Sequence, residues 1–303
     1  MSADRALAPP PAEVRRIVYL GTPEVAVPTL RALHAAGFEL PLVISQPDRR
    51  RGRGSTVSPS PVKAAALELG LTVSDRTADA VDVGADLGVV VAYGRLIKPE
   101  VLERLAMVNL HFSLLPRWRG AAPVERALLE GDTTTGVCLM EVAEGLDEGG
   151  VYRMAEHTIS PTDTLERLRS TLVEIGTGLL LAALENGLGQ ALPQQGEPLH
   201  AAKIDPSELH LDLGQPAAVL DRLVRLGGAW AEFRGKRLRI WSAEVVAGLT
   251  DDGAIAPGAL MGGVLGTGSG GLLLREVQPE GKQRMAASAW LNGARPTADE
   301  RLV

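Results

Sequence analysis

A single cysteine, Cys138, stands in 303 residues, so no disulfide can form within the chain. It lies in G-V-C-L-M at residues 136–140, a run that reads as a buried strand, which assigns the thiol to packing rather than to nucleophilic chemistry. Aromatic residues make up only 3% of the chain, leaving the core to aliphatic side chains. No apolar run approaches the length of a membrane span, and the opening residues, with Pro9, Pro10 and Pro11, lack the apolar stretch of a signal peptide. The expectation is a cytoplasmic protein, without a membrane partner, whose residues 1–14 are disordered. The G-x-G-x-x-G pattern is missing after the first predicted strand, which excludes a dinucleotide site there. His34, His157, His200 and His210 have no Cys or His partner at zinc spacing, so no metal is expected. Positive charge is also short: the formal net charge is −6, which is not that of a chain drawn to nucleic acid by its overall field.

The charge is unevenly distributed. Residues 1–200 carry 19 Lys or Arg against 25 Asp or Glu, whereas residues 201–303 carry 12 of each, making the second part relatively basic. Apolar content of 45% and charged content of 22% are ordinary for a globular protein, and this length favours two domains.

Apolar runs at Arg15–Leu20, Leu40–Ser45 and the Val-rich Leu87–Ala92 alternate with helical patterns at 27–34, 62–69 and from Pro99. Such runs suit strands covered on both faces, and the alternation predicts a doubly wound, mostly parallel α/β sheet. Thr135–Val142 and Gly149–Ile159 read as antiparallel or mixed additions, the second at an edge. A long helix follows from Thr162 to Leu184, with Leu165, Leu168, Leu172, Ile175, Leu179 and Leu180 on one face, a stripe read as core packing. Prolines, glutamines and glycines over 190–206 mark a linker. Beyond it come a helix at 217–226 and short strands with turn glycines, whose spacing predicts a small β-barrel over 207–303. R-G-K-R-L-R at 234–239 has two readings, a phosphate contact or a solvated strand edge.

The segment from Val108 to Asp147 carries the chemistry. Asn109 and His111 are two residues apart at the end of an apolar strand and so project from one face, while Asp147 arrives from the loop after a second strand. An amide, an imidazole and a carboxylate supply a donor to a developing oxyanion, a proton carrier near neutral pH and a group that orients and charges that carrier. That set suits acyl-type transfer. Taken alone, a His after a strand is more often a structural residue; Pro116 and Gly120, which turn the chain away at the carboxyl end of the strand, bring the functional reading level with the structural one. A second candidate is the long Arg-, Gly-, Ser- and Pro-rich loop from Gln46 to Pro61. Its Arg49, Arg50, Arg51 and Arg53 face little opposing charge beyond Asp48, and form either a solvated face or a loop that orders on a phosphate backbone.

These stretches resemble a known family. N-L-H-F-S-L-L-P-R-W-R-G-A-A-P at 109–123 followed by G-L-D-E-G at 145–149 is similar to the signature of folate-dependent formyltransferases. Its R-W-R-G-A-A-P portion is similar in particular to members acting on methionyl initiator tRNA. Further matching stretches are G-T-P-E-V-A at 21–26, Q-P-D-R at 46–49, G-R-G at 52–54, P-S-P-V-K at 59–63 and V-V-A-Y-G at 90–94; with gaps, the resemblance runs from about Arg16 to Val303. It implies a Rossmann-like formyltransferase domain over 15–189, a linker over 190–206 and an OB-like tRNA-binding domain over 207–303. It implies 10-formyltetrahydrofolate as formyl donor, Asn109, His111 and Asp147 as catalytic residues, and Ser113, Leu114, Leu115 and Pro116 as the folate-binding segment. The acceptor would be the α-amino group of methionyl initiator tRNA, met by Arg49, Arg50, Arg51 and Arg53, with Arg53 on the G-R-G position; the protein would act as a monomer. A formyltransferase for a small amine, such as glycinamide ribonucleotide or an amino sugar nucleotide, would share the catalytic trio, and a folate- or RNA-binding protein without turnover is the reading from another class. Phe112 stands where the family more often has Gly or Pro, Ser55, Thr56 and Val57 where it can carry lysines, and Gly227-Gly228-Ala229-Trp230 where it often has Asn-Pro-Trp-Pro.

Overall fold

Five parallel strands rich in Val, Ile and Leu form the centre of the first unit: β1 (Arg16–Gly21), β2 (Glu39–Ile44), β3 (Val73–Ser74), β4 (Leu87–Val91) and β5 (Met107–His111). The computed structural model describes residues 6–50, 57–246 and 255–303. Arg51 and Arg53 of the basic loop therefore lie outside the described residues, as does the side chain of Arg50. Two antiparallel strands, β6 (Thr134–Glu141) and β7 (Val151–Thr158), extend the sheet to the order β7-β6-β5-β4-β1-β2-β3. All five residues of β4 are buried, as a central strand covered on both faces requires, whereas β7 at the edge buries only Tyr152.

Helices α1 (Val27–Ala35), α2 (Pro61–Glu68), α3 (Pro99–Leu102), α4 (Pro123–Glu130) and α5 (Leu165–Asn186) connect or follow these strands. The start of α2 is written in the sequence: Ser60 Oγ accepts from the Lys63 amide at 3.0 Å, and Pro61 occupies the first turn, where its missing N–H costs nothing. On α5, Leu168, Leu172 and Leu180 of the expected stripe are fully buried. Thr29 of α1 and Thr177 of α5 share a hydroxyl hydrogen bond of 2.8 Å.

The order of connections places the site. From β1 the chain winds outward through β2 and β3, then returns to the other side of β1 as β4. Adjacent parallel strands whose connections depart in opposite directions leave a crevice at their carboxyl ends, where open α/β sheets bind ligands. The loops there are tied together, with Thr22 Oγ1 and Gln46 Nε2 donating to the Tyr93 carbonyl at 3.0 and 3.2 Å.

The second unit, made of Glu125–Thr133, Ile159–Leu168 and the residues from Lys203 onward, has its own core. After α6 (Ala217–Leu226) come β8 (Trp230–Phe233), β9 (Lys236–Val246), β10 (Leu260–Met261), β11 (Val264–Gly266), β12 (Gly271–Pro279) and β13 (Met285–Ala286), then α7 (Ala287–Ala294). The strands pair antiparallel in the order β8-β9-β12-β11-β10, with β13 on β12. The last residues close the barrel: Leu302 bridges Phe233 on β8 while Arg301 bridges Ala259 beside β10, so both otherwise open edges find a partner. The expected α/β sheet and small OB-like β domain are both present. The pattern did not announce α7, an eight-residue helix held by Trp290, which meets Phe233 edge-on at 5.3 Å.

Two segments whose composition suggested an end and a linker carry tertiary hydrogen bonds. The Ala8 amide donates to the Leu102 carbonyl at 2.9 Å, and Leu7 packs on the core beneath it. In the 190–206 stretch, Leu192 exchanges two backbone bonds of 2.8 and 3.0 Å with Val151, and His200–Ala201 pairs in parallel with Arg119–Gly120. The pairing runs through the backbone of Leu192, His200 and Ala201, which composition does not specify.

Asp86 anchors the entry into β1, its Oδ2 accepting from the Arg15 and Arg16 amides at 2.8 Å each. These bonds hold the carboxyl below its ordinary value, with the neighbouring arginines adding to the effect. Because the folded value is depressed, the stabilisation is complete above the ordinary carboxylate range and disappears as pH falls through the folded value. Asp86→Ala is expected to cost about 1 kcal/mol near neutral pH, allowing for solvent screening, and less at about pH 3; urea unfolding at the two pH values measures this.

Candidate active site

Strand β5 delivers its residues to the crevice with alternating faces. Leu110 lies against α5, where a Cβ added at Gly176 would come within 3.6 Å of it, so Asn109 and His111 project from the opposite face. Opposite them on β6 stand Met140 and Cys138, which with Leu115 form an apolar floor. Burial pushes the Cys138 thiol up to about 11, only partly offset by the Leu115 amide that donates to its Sγ, so the cysteine is inert at neutral pH.

The three residues singled out from the sequence come together. His111 Nδ1 lies 3.5 Å from Asp147 Oδ2, with side-chain exposures of 6% and 11%. On the other edge of the ring, His111 Nε2 is 2.9 Å from the Trp118 carbonyl; a carbonyl only accepts, so Nε2 carries the proton and Nδ1 is the edge turned to the carboxylate. The ring is thus held at Nε2, while Nδ1, an acceptor in this tautomer, faces the carboxylate without a hydrogen bond. The Asn109 side chain makes no hydrogen bond to protein among the described residues, which leaves its amide available to a ligand.

Asp147 sits in the left-handed region at φ 55, a conformation that Asp tolerates better than most residues but that the surroundings must enforce. The Gly120 amide donates to its Oδ2 at 2.8 Å. Gly120 itself has φ 115, and a Cβ there would come within 3.0 Å of the Ala201 carbonyl, so glycine alone fits between the carboxylate and the paired 200–201 segment. Gly149, two residues after Asp147, is similarly obligatory: a Cβ there would collide with the Glu141 carbonyl.

The segment matched to folate binding divides in two. Ser113 is fully buried and its hydroxyl donates to the Arg117 carbonyl at 2.6 Å, closing the turn, so that proton is not free for a ligand. Leu115 is buried in the floor, and the Leu115–Pro116 peptide is cis. Leu114 and Pro116 are half-buried and keep apolar surface accessible. Arg49 is exposed, with one guanidinium nitrogen 3.3 Å from Gln46 Oε1, and Arg49–Arg50 pairs with Val57–Ser58 as a short hairpin. No group of three or more His, Cys, Asp or Glu residues among the described residues is placed to hold a metal ion. Reading the sequence missed the Trp118 carbonyl and the Gly120 amide, since backbone groups leave no trace in side-chain patterns; only the run R-W-R-G marked the place.

Comparison with known proteins gives this geometry a family. The Formyl transferase model matches residues 15–184, and the Formyl transferase, C-terminal domain model matches residues 203–295. Methionyl-tRNA formyltransferase of Neisseria meningitidis serogroup B is 40% identical over 307 residues, covering 95% of this chain and 100% of that relative. The enzyme of the same name from Symbiobacterium thermophilum is 41% identical, with 92% of each chain covered. Among solved structures, the N-formyltransferase from Helicobacter canadensis, in complex with folinic acid and dTDP-3-aminofucose, superposes with a TM-score of 0.66 at 15% identity, covering 90% of this chain and 100% of that one. HypX from Aquifex aeolicus superposes with a TM-score of 0.64 at 18% identity, over 92% of this chain but 48% of the larger protein. At such identities the two structures establish a shared fold.

Gly120→Ala is expected to destabilise the fold by about 2 kcal/mol, because the added methyl group is strained at positive φ and presses on the Ala201 carbonyl. Urea unfolding measures the loss; an unchanged midpoint would contradict the packing described for the 119–120 and 200–201 pair.

Proposed function

The chain belongs to the formyl transferase family, and from that membership we propose that it transfers the formyl group of 10-formyltetrahydrofolate to the α-amino group of methionyl initiator tRNA. The observation that carries this reading is the 40% identity to a methionyl-tRNA formyltransferase across the whole length of that relative, both domains included. Asn109, His111 and Asp147 supply the chemistry that transfer requires.

A free α-amino group titrates near ~8, and esterification of its carboxyl lowers that, so much of the acceptor is already nucleophilic at neutral pH. The greater demand is the tetrahedral intermediate. As the amine nitrogen bonds to the formyl carbon, the carbonyl oxygen gains negative charge, which the free Asn109 amide stabilises by donating a hydrogen bond, with help from His111. A proton must then pass from the attacking nitrogen to the departing folate nitrogen as its bond to carbon breaks. His111, held by the Trp118 carbonyl at Nε2, handles that proton, directly or through water, and Asp147 orients the ring and offsets its charge. Nδ1, the edge without a proton in this tautomer, is the nitrogen that takes it, and the imidazolium so formed faces the Asp147 carboxylate 3.5 Å away. Leu114 and Pro116 offer apolar contact to the flat pterin and aryl rings, and the backbone of Ser113 to Pro116 frames them.

Arg49, Arg50, Arg51 and Arg53 meet phosphates of the acceptor end, a local attraction that the overall charge of −6 does not prevent. The protein acts in the cytoplasm as a monomer. Among the described residues no helix is long and apolar enough to cross a membrane.

The test is transfer of labelled formyl from 10-formyltetrahydrofolate to methionyl initiator tRNA, beside glycinamide ribonucleotide, an amino sugar nucleotide and uncharged tRNA. Transfer to the charged initiator alone is expected; transfer to a small amine would replace the proposed acceptor, and no transfer at all would overturn the enzyme reading. Asn109→Ala is expected to lower the rate by ~10² to 10³, or ~3 to 4 kcal/mol, with folate binding little changed, and a loss under about tenfold would remove Asn109 from the oxyanion role. Replacing Arg49 and Arg53 by alanine is expected to weaken tRNA binding and to reduce the slope of log affinity against log salt by about 1 per arginine.

A further inference from the structure

One side chain outside the Asn109–His111–Asp147 cluster spends its full hydrogen-bonding capacity on the frame of that cluster. The Gln194 Nε2 donates to the carbonyls of Asp147 at 2.8 Å and Gly149 at 2.9 Å. Its Oε1 accepts from two guanidinium nitrogens of Arg119, at 3.0 and 2.8 Å. Two donated and two accepted bonds are all that a primary amide can make. The partners also fix which way the amide points, because carbonyls only accept and a guanidinium only donates; turned over, it would set oxygen against oxygen and N–H against N–H.

The bonds join the two segments that deliver the Asp147 carboxylate. One is the turn from Asp147 to Gly149, left-handed at its first residue and pressed on Glu141 at its last. The other is Arg119–Gly120, whose Gly120 amide holds Asp147 Oδ2 at 2.8 Å. Gln194 is brought there by rigid backbone, since Leu192 exchanges hydrogen bonds with Val151 and His200–Ala201 pairs with Arg119–Gly120.

We infer that Gln194 is a positioning residue for formyl transfer: it locks the Asp147 turn against the Arg119–Gly120 segment so that the carboxylate faces His111. It acts through Asp147 and touches neither substrate. The inference rests on the reading of Asp147 as the group that orients and charges His111. A displacement of about 1 Å in such a group is enough to cost on the order of 10²-fold in rate.

The experiment compares the parent, Gln194→Glu, Asp147→Asn and the double variant by steady-state kinetics with 10-formyltetrahydrofolate and methionyl initiator tRNA, with thermal melts to verify folding. Gln194→Glu keeps size and the acceptor for Arg119 but has no proton for the two carbonyls. It is expected to lower kcat by about 10- to 100-fold while KM for both substrates stays within about threefold. In the Asp147→Asn background the same change is expected to add less than about threefold, because the group it positions is already disabled. If the Glu variant does not fold, Gln194→Met, which adds no charge, is measured in its place against the same expectations. An unchanged kcat, a loss confined to KM, or a loss that multiplies in full with that of Asp147→Asn would each overturn the positioning role while leaving the catalytic trio intact. Parental activity in Asp147→Asn would instead overturn the reading of the trio, and the inference with it.

Discussion

A carboxylate held in a left-handed turn, 3.5 Å from a buried imidazole, is the arrangement on which the rest of the first unit depends. Neither group reaches that geometry through its own local preferences. His111 is aimed by strand β5 and pinned at its far nitrogen by the Trp118 carbonyl, and Asp147 is caught by the Gly120 amide. Both holding groups belong to one turn, which leaves β5 at Ser113 and is closed by the Ser113 hydroxyl on Arg117. That turn is therefore a jig: the segment that ends the strand also fixes the partner of the residue at its end.

The jig is supported in turn by backbone distant in sequence. The parallel pair formed by Arg119–Gly120 and His200–Ala201 leaves no room for a side chain at Gly120, and the Leu192–Val151 pair holds the segment between. Preorganised dipoles act on a transition state without having to reorganise, so the precision of such supports serves the proposed transfer. The aliphatic floor of Leu115, Cys138 and Met140 contributes dryness rather than reactivity, as the elevated thiol of Cys138 illustrates.

In the second unit the constraint is of another kind. A sheet of short antiparallel strands has two edges, and here the final residues bridge both, making closure the stabilising device of a domain with few aromatic side chains. Residues 201–303 balance 12 acidic residues against 12 basic ones, so any basic character there is local.

What the sequence determined by itself was whatever depends on period and type. Buried apolar runs set the parallel strands, the leucine stripe set α5, Ser60 and Pro61 set the start of α2, and the two-residue spacing put Asn109 and His111 on one face. The approach of Asp147 from the next strand followed from the same pattern together with the family resemblance. The closing helix α7 escaped notice because eight residues with an interior glycine carry too little periodicity, and tertiary contact through Trp290 makes the helix worth forming. Tertiary structure alone decided which groups hold His111 and Asp147. The Trp118 carbonyl and Gly120 amide are backbone atoms present at every position, Ser113 and Leu115 turned inward although their motif suited a ligand, and Gln194 stood in a stretch whose composition read as linker. Side-chain pattern encodes the faces of elements, whereas hydrogen bonds between backbone groups and distant residues exist only once the chain has brought them within 3 Å.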